Sequence, residues 1–497
     1  MESANSRSFA ASLTEALTFD DILLTPQNSE ILPIETTLET QLTKNIKLSL
    51  PILSAAMDTV TESNVAIALA REGGIGIIHR NLSIEEQVRE VRIVKRSAHG
   101  VLTEPITLTP ATPIAKAIAL LKEHSISSFP IIDENQLLQG IVTNRDLRFV
   151  EEDLEKPVAT VMTKEIITVS EAISLLQARK VFKENKIEQI VIMDAQKKLK
   201  GLICLKDLLN EEKYPLATKD SLGRLRVGAA CGTSDNEMKR IEALIEAGVD
   251  VIVIDTAHGH HKKVLDLVKT VKRAFPKIDV IAGNIATSAA CEALIESGAD
   301  AVKVGIGAGS ICTTRVVTGV GVPQITALHA ALIPAKKMNI PVIADGGVRF
   351  SGDLAKALAL GAASVMLGSI FAGTTEAPGE TFFHRGNAYK AYRGMGSIAA
   401  MKKGSRERYF QKGYDETKFI PEGVEGSVPL KGPLSETLYQ MIGGLRSAMG
   451  YLGAKTLKEL QEKAVFTKTT HAGRIESHVH DVQMLREAPN YRKEALF

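Results

Sequence analysis

Cysteine is scarce in this chain, and the four present, Cys204, Cys231, Cys291 and Cys312, share no Cys-x-x-Cys spacing. That argues against zinc ribbons and a disulfide framework, and it fits a reducing cytoplasm. An excess of charge of either sign is missing too: 60 Lys and Arg stand against 58 Asp and Glu, a formal net charge of +2. There is no bulk electrostatic case for nucleic acid, and a sequence pI of about 8.2 falls short of a basic footprint. No apolar run reaches the ~20 residues that a membrane span needs, and the opening residues lack a charged-then-apolar leader pattern. These absences lead to the expectation of a soluble, cytoplasmic protein. Tryptophan is absent as well, which excludes nothing by itself.

What is present is chain length and glycine in telling places. At 497 residues the chain is too long for one compact core, so two or three domains are expected. The stretch Gly305-Ile-Gly-Ala-Gly-Ser-Ile-Cys-Thr-Thr-Arg315 follows the apolar run Ala301-Val-Lys-Val304. Glycines there let backbone approach a ligand, and a thiol on such a loop is placed for nucleophilic attack. The alternative for Cys312 is an inert buried thiol.

Short β-rich runs recur along most of the chain: Leu50-PILSAAM, Gly74-IGIIHR, Arg226-VGAAC, Val249-DVIVID, Ile278-DVIAGN, Asp300-AVKVGIG, Ile340-PVIADGG and Ala363-SVMLGS. Amphipathic stretches such as Glu237-MKRIEALIEAG alternate with them. Eight strand–helix units predict an α/β fold, a parallel (β/α)8 TIM barrel, rather than a doubly wound open sheet. No Gly-x-Gly-x-x-Gly opens a first helix to mark a dinucleotide crevice. Chemistry in a barrel sits at the C-terminal strand ends, which read Met57-Asp58, His79, Asp255, Asn284, Gly305 onward, Asp345-Gly-Gly347 and Gly368-Ser369. Cys231 ends the third strand and is expected to face the mouth, whereas Cys204 and Cys291 read as core.

A long insertion, about residues 97–221, separates the second and third strands and contains an internal repeat, Pro105 to Leu147 and Glu165 to Leu208. Each copy ends in Gly-φ-φ-x-x-(Arg/Lys)-Asp opening a helix, and neither alone has much core, so the two are expected to pack as a pair. The copies resemble tandem cystathionine-β-synthase-type (CBS) domains, over 97–155 and 156–221. That resemblance implies purine nucleotides, ATP or GTP, bound with Asp146 and Asp207 on ribose. The competing role for both aspartates is helix capping.

Five further motifs in order carry a resemblance over essentially the whole chain: Leu17-TFDDILL, Gly309-SICTTR, Ala344-DGG, Tyr392-RGMGS and Glu476-SH. With a CBS pair inside a split barrel (1–96 and 222–497), they resemble the inosine-5′-monophosphate (IMP) dehydrogenase family. The resemblance implies NAD-dependent oxidation of IMP to xanthosine monophosphate, a step of guanine nucleotide synthesis, through a covalent thioimidate on Cys312. It implies hydrolysis by water activated by Arg408, with Tyr409 beside it and Thr314 as an alternative proton path. Substrate contacts carry over to Ser310, Asp345, Gly346, Gly347, Gly368, Ser369, Tyr392, Arg393, Gly394, Met395, Gly396 and Glu422. Those to NAD carry over to Asp255, Asn284, Gly305, Ile306 and Gly307. A potassium site is implied at Gly307, Gly309 and Cys312, completed by Glu476, Ser477 and His478 of a neighbouring subunit. A homotetramer, or an octamer built from it, follows. Taken alone, Asp345-Gly-Gly is an ordinary turn and Asp255 a stabilising rim acid.

The Gly-, Lys- and Arg-rich stretch at about 376–433 is long for a loop and is expected to be a mobile lid carrying Arg408-Tyr409. Without the aromatics its Lys402-KGSRER run reads as a solvated charge cluster. The histidines His258, His260 and His261 have no carboxylate placed as a third ligand, which argues against a divalent site. Two rivals remain: guanosine monophosphate (GMP) reductase, distinguished by usually lacking the lid and this insertion, and a non-catalytic CBS nucleotide sensor.

Overall fold

The computed structural model describes residues 13–491 apart from 98–104, 125, 149, 151–152, 171–172, 174, 197 and 412. The chain divides into two compact units, one of Met1–Arg92, Leu216–Thr218 and Arg226–Phe497, the other of Ile93–Pro215 and Lys219–Leu225.

The first unit is a closed barrel of eight parallel strands: β1 (Ile52–Ser54), β2 (Ile75–Ile78), β3 (Val227–Cys231), β4 (Val251–Asp255), β5 (Asp279–Ile285), β6 (Ala301–Val304), β7 (Val342–Asp345) and β8 (Ser364–Leu367), with β8 pairing back onto β1. Almost every residue in these strands is buried, because helices cover the outside while alternate side chains fill the inside. Leu53, Ile75, Ile77, Val251, Val253, Ile281 and Ile343 form the inner core. The N-terminal mouth is plugged by the antiparallel pair Thr40–Gln41 and Lys47–Leu48, whose Leu42, Ile46 and Leu48 join that core. Asn45 fixes the plug by donating from Nδ2 to Asp279 Oδ1 at the start of β5, 2.7 Å away. One end of the barrel is thereby shut, and the other is left for chemistry.

Beyond β8 the lid region is built, with strands Thr381–His384, Asn387–Arg393 and Glu425–Pro429 in one antiparallel sheet. A helix, Ile398–Lys402, and a 3-10 turn, Ser405–Tyr409, complete it.

In the second unit both repeat copies are a helix followed by a β-hairpin, preceded by a strand (Thr168–Ser170) in the second copy and by a single bridge, Leu108 to Ile131, in the first. The first packs Ile114, Phe129, Ile131 and Val142 in its core, the second Ala178, Phe182, Ile190 and Ile203. A third cluster, Ile141 from one copy with Val191 and Leu202 from the other, joins them. Asp146 caps its helix, its Oδ2 accepting from the Thr143 amide at 2.7 Å and hydroxyl at 2.8 Å. The Asp207 side chain lies outside the described residues. Where the insertion leaves and returns, Lys95 and Asp220 meet at 2.9 Å, and Arg224 reaches the same carboxylate at 2.8 Å. Burial raises the Asp220 pKa, but Lys95 and Arg224 outweigh it and hold the carboxyl at about 2.

Candidate active site

The open rim of the barrel holds a cleft lined from β1, β4, β5, β6, β7 and β8 and from the lid. The cysteine loop leaves β6 through Gly305, which has φ +149° and whose missing Cβ would stand 2.0 Å from the Asp345 carbonyl oxygen. Only glycine lets the loop pass β7 so closely. Arg315 holds the far arm, donating from Nε to the Ile306 carbonyl at 3.1 Å. The descending arm is laddered to the lid: the Thr313 amide donates to the Glu422 carbonyl (3.0 Å) and Val424 to Ile311 (3.1 Å), while the Glu422 amide donates to Gly396 (3.0 Å).

This ladder places three side chains in line. The Cys312 thiol donates to Thr314 Oγ1 at 3.1 Å, and that hydroxyl donates to Glu422 Oε2 at 2.8 Å. A proton leaving sulfur has a carboxylate to go to.

A second line of alternating charges crosses the cleft. The fully buried Lys303 reaches Asp255 Oδ1 (3.0 Å), Asp345 Oδ2 (2.5 Å) and the Asn284 side-chain oxygen. Asn284 also donates to Asp345 Oδ2 at 2.9 Å. From the lid, Arg408 Nη1 lies 2.6 Å from Asp255 Oδ2, and the Ala257 amide donates to the Arg408 carbonyl at 3.0 Å. Burial disfavours the charged Asp255, but Arg408 and Lys303 outweigh it and hold its pKa below the ordinary value. Burial likewise pulls the Arg408 pKa down, yet Asp255 more than offsets this and pushes it above the ordinary guanidinium range. In this arrangement the Arg408 guanidinium is paired with the Asp255 carboxylate. Burial pushes Tyr409, beside it, up to about 12.

Of the sequence-predicted residues, Cys312, Thr314, Arg408, Tyr409, Asp345, Gly346, Tyr392, Gly394, Met395, Glu422, Asp255, Asn284, Gly305, Ile306, Gly307 and Gly309 line one cleft. Gly368 backs it, near the Tyr392 hydroxyl and Met57, and Gly396 packs on Tyr409. Ser310 neighbours Tyr392, whose pKa burial pushes up to about 12. Gly347 lies against Phe19. Ser369 opens a short helix after β8. Arg393 turns away to a buried partner, Asp58, with contacts of 3.0 Å and 2.6 Å. Glu476, Ser477 and His478 end a helix whose Arg474 lies 3.3 Å from Asp20, and they do not line the cleft. Cys231 does not face the mouth: it is fully buried, and burial with Glu237 nearby drives its thiol pKa far up. Cys291 is buried, donating to the Ala331 carbonyl, and its pKa is pushed up to about 12. Cys204 is half-buried in its strand. Among the described residues no group of three His, Cys, Asp or Glu side chains is placed to hold a metal ion, and no helix is long and apolar enough to cross a membrane.

Lys303 was the residue sequence reasoning passed over. Its signal was a lysine between valines in a strand buried on both faces, a place where charge survives only if paired.

A family model described as IMP dehydrogenase / GMP reductase domain matches residues 16–480. An inosine-5′-monophosphate dehydrogenase from Aquifex aeolicus (strain VF5) is 58% identical over 96% of this chain and 98% of its own length. One from Bacillus subtilis (strain 168) is 54% identical at the same coverages. A solved GMP reductase from Trypanosoma brucei, in complex with guanosine 5′-monophosphate, is 40% identical with a TM-score of 0.86, covering 95% of this chain and 99% of its own. That match leaves too few residues over to omit the insertion, so the insertion does not separate dehydrogenase from reductase.

Proposed function

This chain belongs to the IMP dehydrogenase / GMP reductase family, and from that premise we propose how its residues carry an IMP dehydrogenase reaction. The activity is that of an oxidoreductase converting IMP to xanthosine monophosphate. Curated dehydrogenases at 54–58% identity, against 40% for the reductase, favour oxidation over reductive deamination.

The observation that carries the mechanism is the line Cys312–Thr314–Glu422. Thr314 takes the thiol proton and passes its own to Glu422, leaving a thiolate that adds to purine carbon 2 of IMP. Asp345 accepts from the ribose hydroxyls. Backbone amides around Gly346 and Gly368, with Tyr392, hold the 5′-phosphate. NAD+, when bound, takes the hydride released from carbon 2, leaving the base joined to Cys312 as a thioimidate. Asp255 and Asn284 suit its ribose, because Asp255 at the end of β4 and the Asn284 amide at the end of β5 both line the cleft and can hydrogen-bond hydroxyls. Water then attacks the thioimidate, sulfur leaves with a proton returned along the relay, and xanthosine monophosphate is released.

Arg408, held as a cation, orients water and stabilises developing negative charge; Glu422, having released the thiol's proton to solvent before hydrolysis, receives the water's proton through Thr314 and returns it to the departing sulfur. The carbonyls of Gly307, Gly309 and Cys312 are neutral oxygens of the kind that suit potassium rather than a divalent ion. Glu476, Ser477 and His478 would complete that cage from a neighbouring subunit. Exposed Val316, Val317 and Val320, beside the cysteine loop, are an apolar face for that neighbour in a homotetramer. The inserted unit is read as a CBS pair binding ATP or GTP, and the site of action as the cytoplasm.

Incubation with IMP and NAD+ should produce NADH and xanthosine monophosphate. Activity only with GMP and NADPH would assign the chain to the reductase side of the family, and binding without turnover would leave a nucleotide sensor.

A further inference from the structure

A single buried amide joins the turn beside the cysteine loop to the lid that carries Arg408. Asn81 follows β2 on the catalytic rim and is 9% exposed. Its side-chain nitrogen donates twice, to Asp58 Oδ2 at 3.0 Å and to the Ala400 carbonyl at 3.2 Å. Asp58 in turn grips Arg393, the residue before Gly394 and Met395 in the cleft wall. Ala400 lies in the lid helix Ile398–Lys402, just ahead of the turn Ser405–Tyr409. Burial raises the Asp58 pKa, but hydrogen bonds from Arg393 and Asn81 outweigh it and hold the carboxyl below its ordinary value. Asp58 is therefore an acceptor, as the Ala400 carbonyl always is, and only an –NH2 group can serve both. Among the described residues the side-chain oxygen of Asn81 has no hydrogen-bond partner. Its amide is oriented by its two donor bonds alone.

His79 holds Asn81 in place. It is 2% exposed, and its Nδ1 accepts the Asn81 backbone N–H at 3.1 Å, closing a side-chain turn of the kind Asn and Asp make. A ring nitrogen that accepts carries no proton, so Nε2 carries it and donates to Glu62 Oε1 at 3.2 Å. We propose that Asn81 is a positioning residue for the hydrolytic half of the reaction. It fixes the lid helix against the Arg393 turn, and so seats Arg408, with His79 as its strut. Asn81 acts through Asp58 and Ala400 and touches no reacting atom. The inference rests on the two-step reaction proposed above.

The test uses the full chain with saturating IMP and NAD+, in the wild type, Asn81→Asp, Asn81→Ala, His79→Asn and His79→Gln. Asn81→Asp keeps the shape and replaces both donors by acceptor oxygen. Steady-state NADH formation should fall about tenfold or more, the loss expected when buried acceptors are left unpaired. The stopped-flow NADH burst should keep its rate. KM for IMP should stay within about threefold, because Arg393 still holds Asp58 through Nε and Nη2. Hydrogen exchange across 398–409, followed by mass spectrometry, should speed up. At position 79, asparagine keeps an oxygen where Nδ1 stood and should stay within about twofold of wild type in both readouts. Glutamine, whose polar atoms sit one bond further out, should follow Asn81→Asp.

A steady rate within about twofold of wild type in Asn81→Asp, or unchanged lid exchange, would overturn the proposal, since a lost pair of buried bonds exceeds that. So would a burst that slows together with the steady rate, which would put Asn81 in substrate or dinucleotide binding. Equal losses in His79→Asn and His79→Gln would make His79 a packing residue and overturn its role as the strut. Should Asn81→Asp fail to fold, Asn81→Ala deletes the same donors without adding charge and decides by the same measures. If the wild type forms no NADH from IMP, the reaction itself is misread, whereas lid exchange in the variants still reports whether Asn81 seats the lid.

Discussion

At the scale of residues, sulfur reactivity here is decided by surroundings. Cys231 and Cys291 are held as thiols by burial, while Cys312 stands half-buried with a proton path to Glu422. A 6-chloropurine nucleotide is therefore expected to label Cys312 and spare Cys231, as peptide mass mapping would show. Cys312→Ala should drop turnover below about a thousandth of wild type, as removal of a nucleophile does. Calorimetry should find IMP binding largely kept, because Asp345 and the phosphate turns remain; near-normal NADH production would refute covalent catalysis.

Lys303 offers a pH test. Asp255 is held low by Arg408 and Lys303 together, so the charged pair is fully present above the ordinary carboxylate pKa and is lost only as pH falls from there through the lowered value. In Lys303→Met one of those cations is gone, Asp255 rises, and the acid limb of the steady-state rate profile should move to higher pH. Lys303→Arg should restore it.

At the scale of elements, the lid and the cysteine loop form one working part. Arg408→Ala removes the lid's grip on Asp255, and with it the cation proposed to orient the hydrolytic water. We expect hydrolysis to slow about a hundredfold or more, with hydride transfer little changed. Stopped-flow traces should then show an NADH burst followed by a very slow phase; loss of the burst along with the steady rate would put Arg408 in substrate binding instead. Gly305→Ala should be severe for a different reason. A Cβ at φ +149° and 2.0 Å from the Asp345 carbonyl must push the loop off β7, at a cost of about 1–3 kcal/mol in backbone strain alone. Thermal melting should register the destabilisation, and the NADH assay a loss of activity from misplaced sulfur.

At the scale of the whole molecule, the insertion's ends meet. The side chains of Lys95 and Asp220 pair at 2.9 Å, which puts their backbones within the reach of those two side chains, so removing the residues between Arg96 and Asp220 and joining the ends with a short linker should leave the barrel closed. Catalysis is expected to survive, and any response to ATP or GTP, of order ~1–3 kcal/mol where such coupling exists, to vanish. Folded but inactive protein would contradict that modularity, and an unchanged nucleotide response would move the effector site to the barrel unit.

The barrel was legible in the sequence because its signal is local and repeated. Each strand is an apolar run ended by a polar or glycine residue, and strands buried on both faces need no partner pattern to be recognised. The cysteine loop was legible for a similar reason, since glycine, sulfur and hydroxyls sit within a few residues. The roles of Asp345 and Arg408 came from motif resemblance rather than from local chemistry.

What only the tertiary structure decided was which distant charges meet. Arg408 finds Asp255, Glu407 finds Arg80, Arg393 turns to Asp58 rather than the cleft, and Lys303 ties two carboxylates together. Cys231, one residue from the rim in sequence, is enclosed all the same. Charge pairing acts through space with no periodicity along the chain. A buried lysine between valines reads as an oddity until the fold brings two aspartates to it from strands on either side.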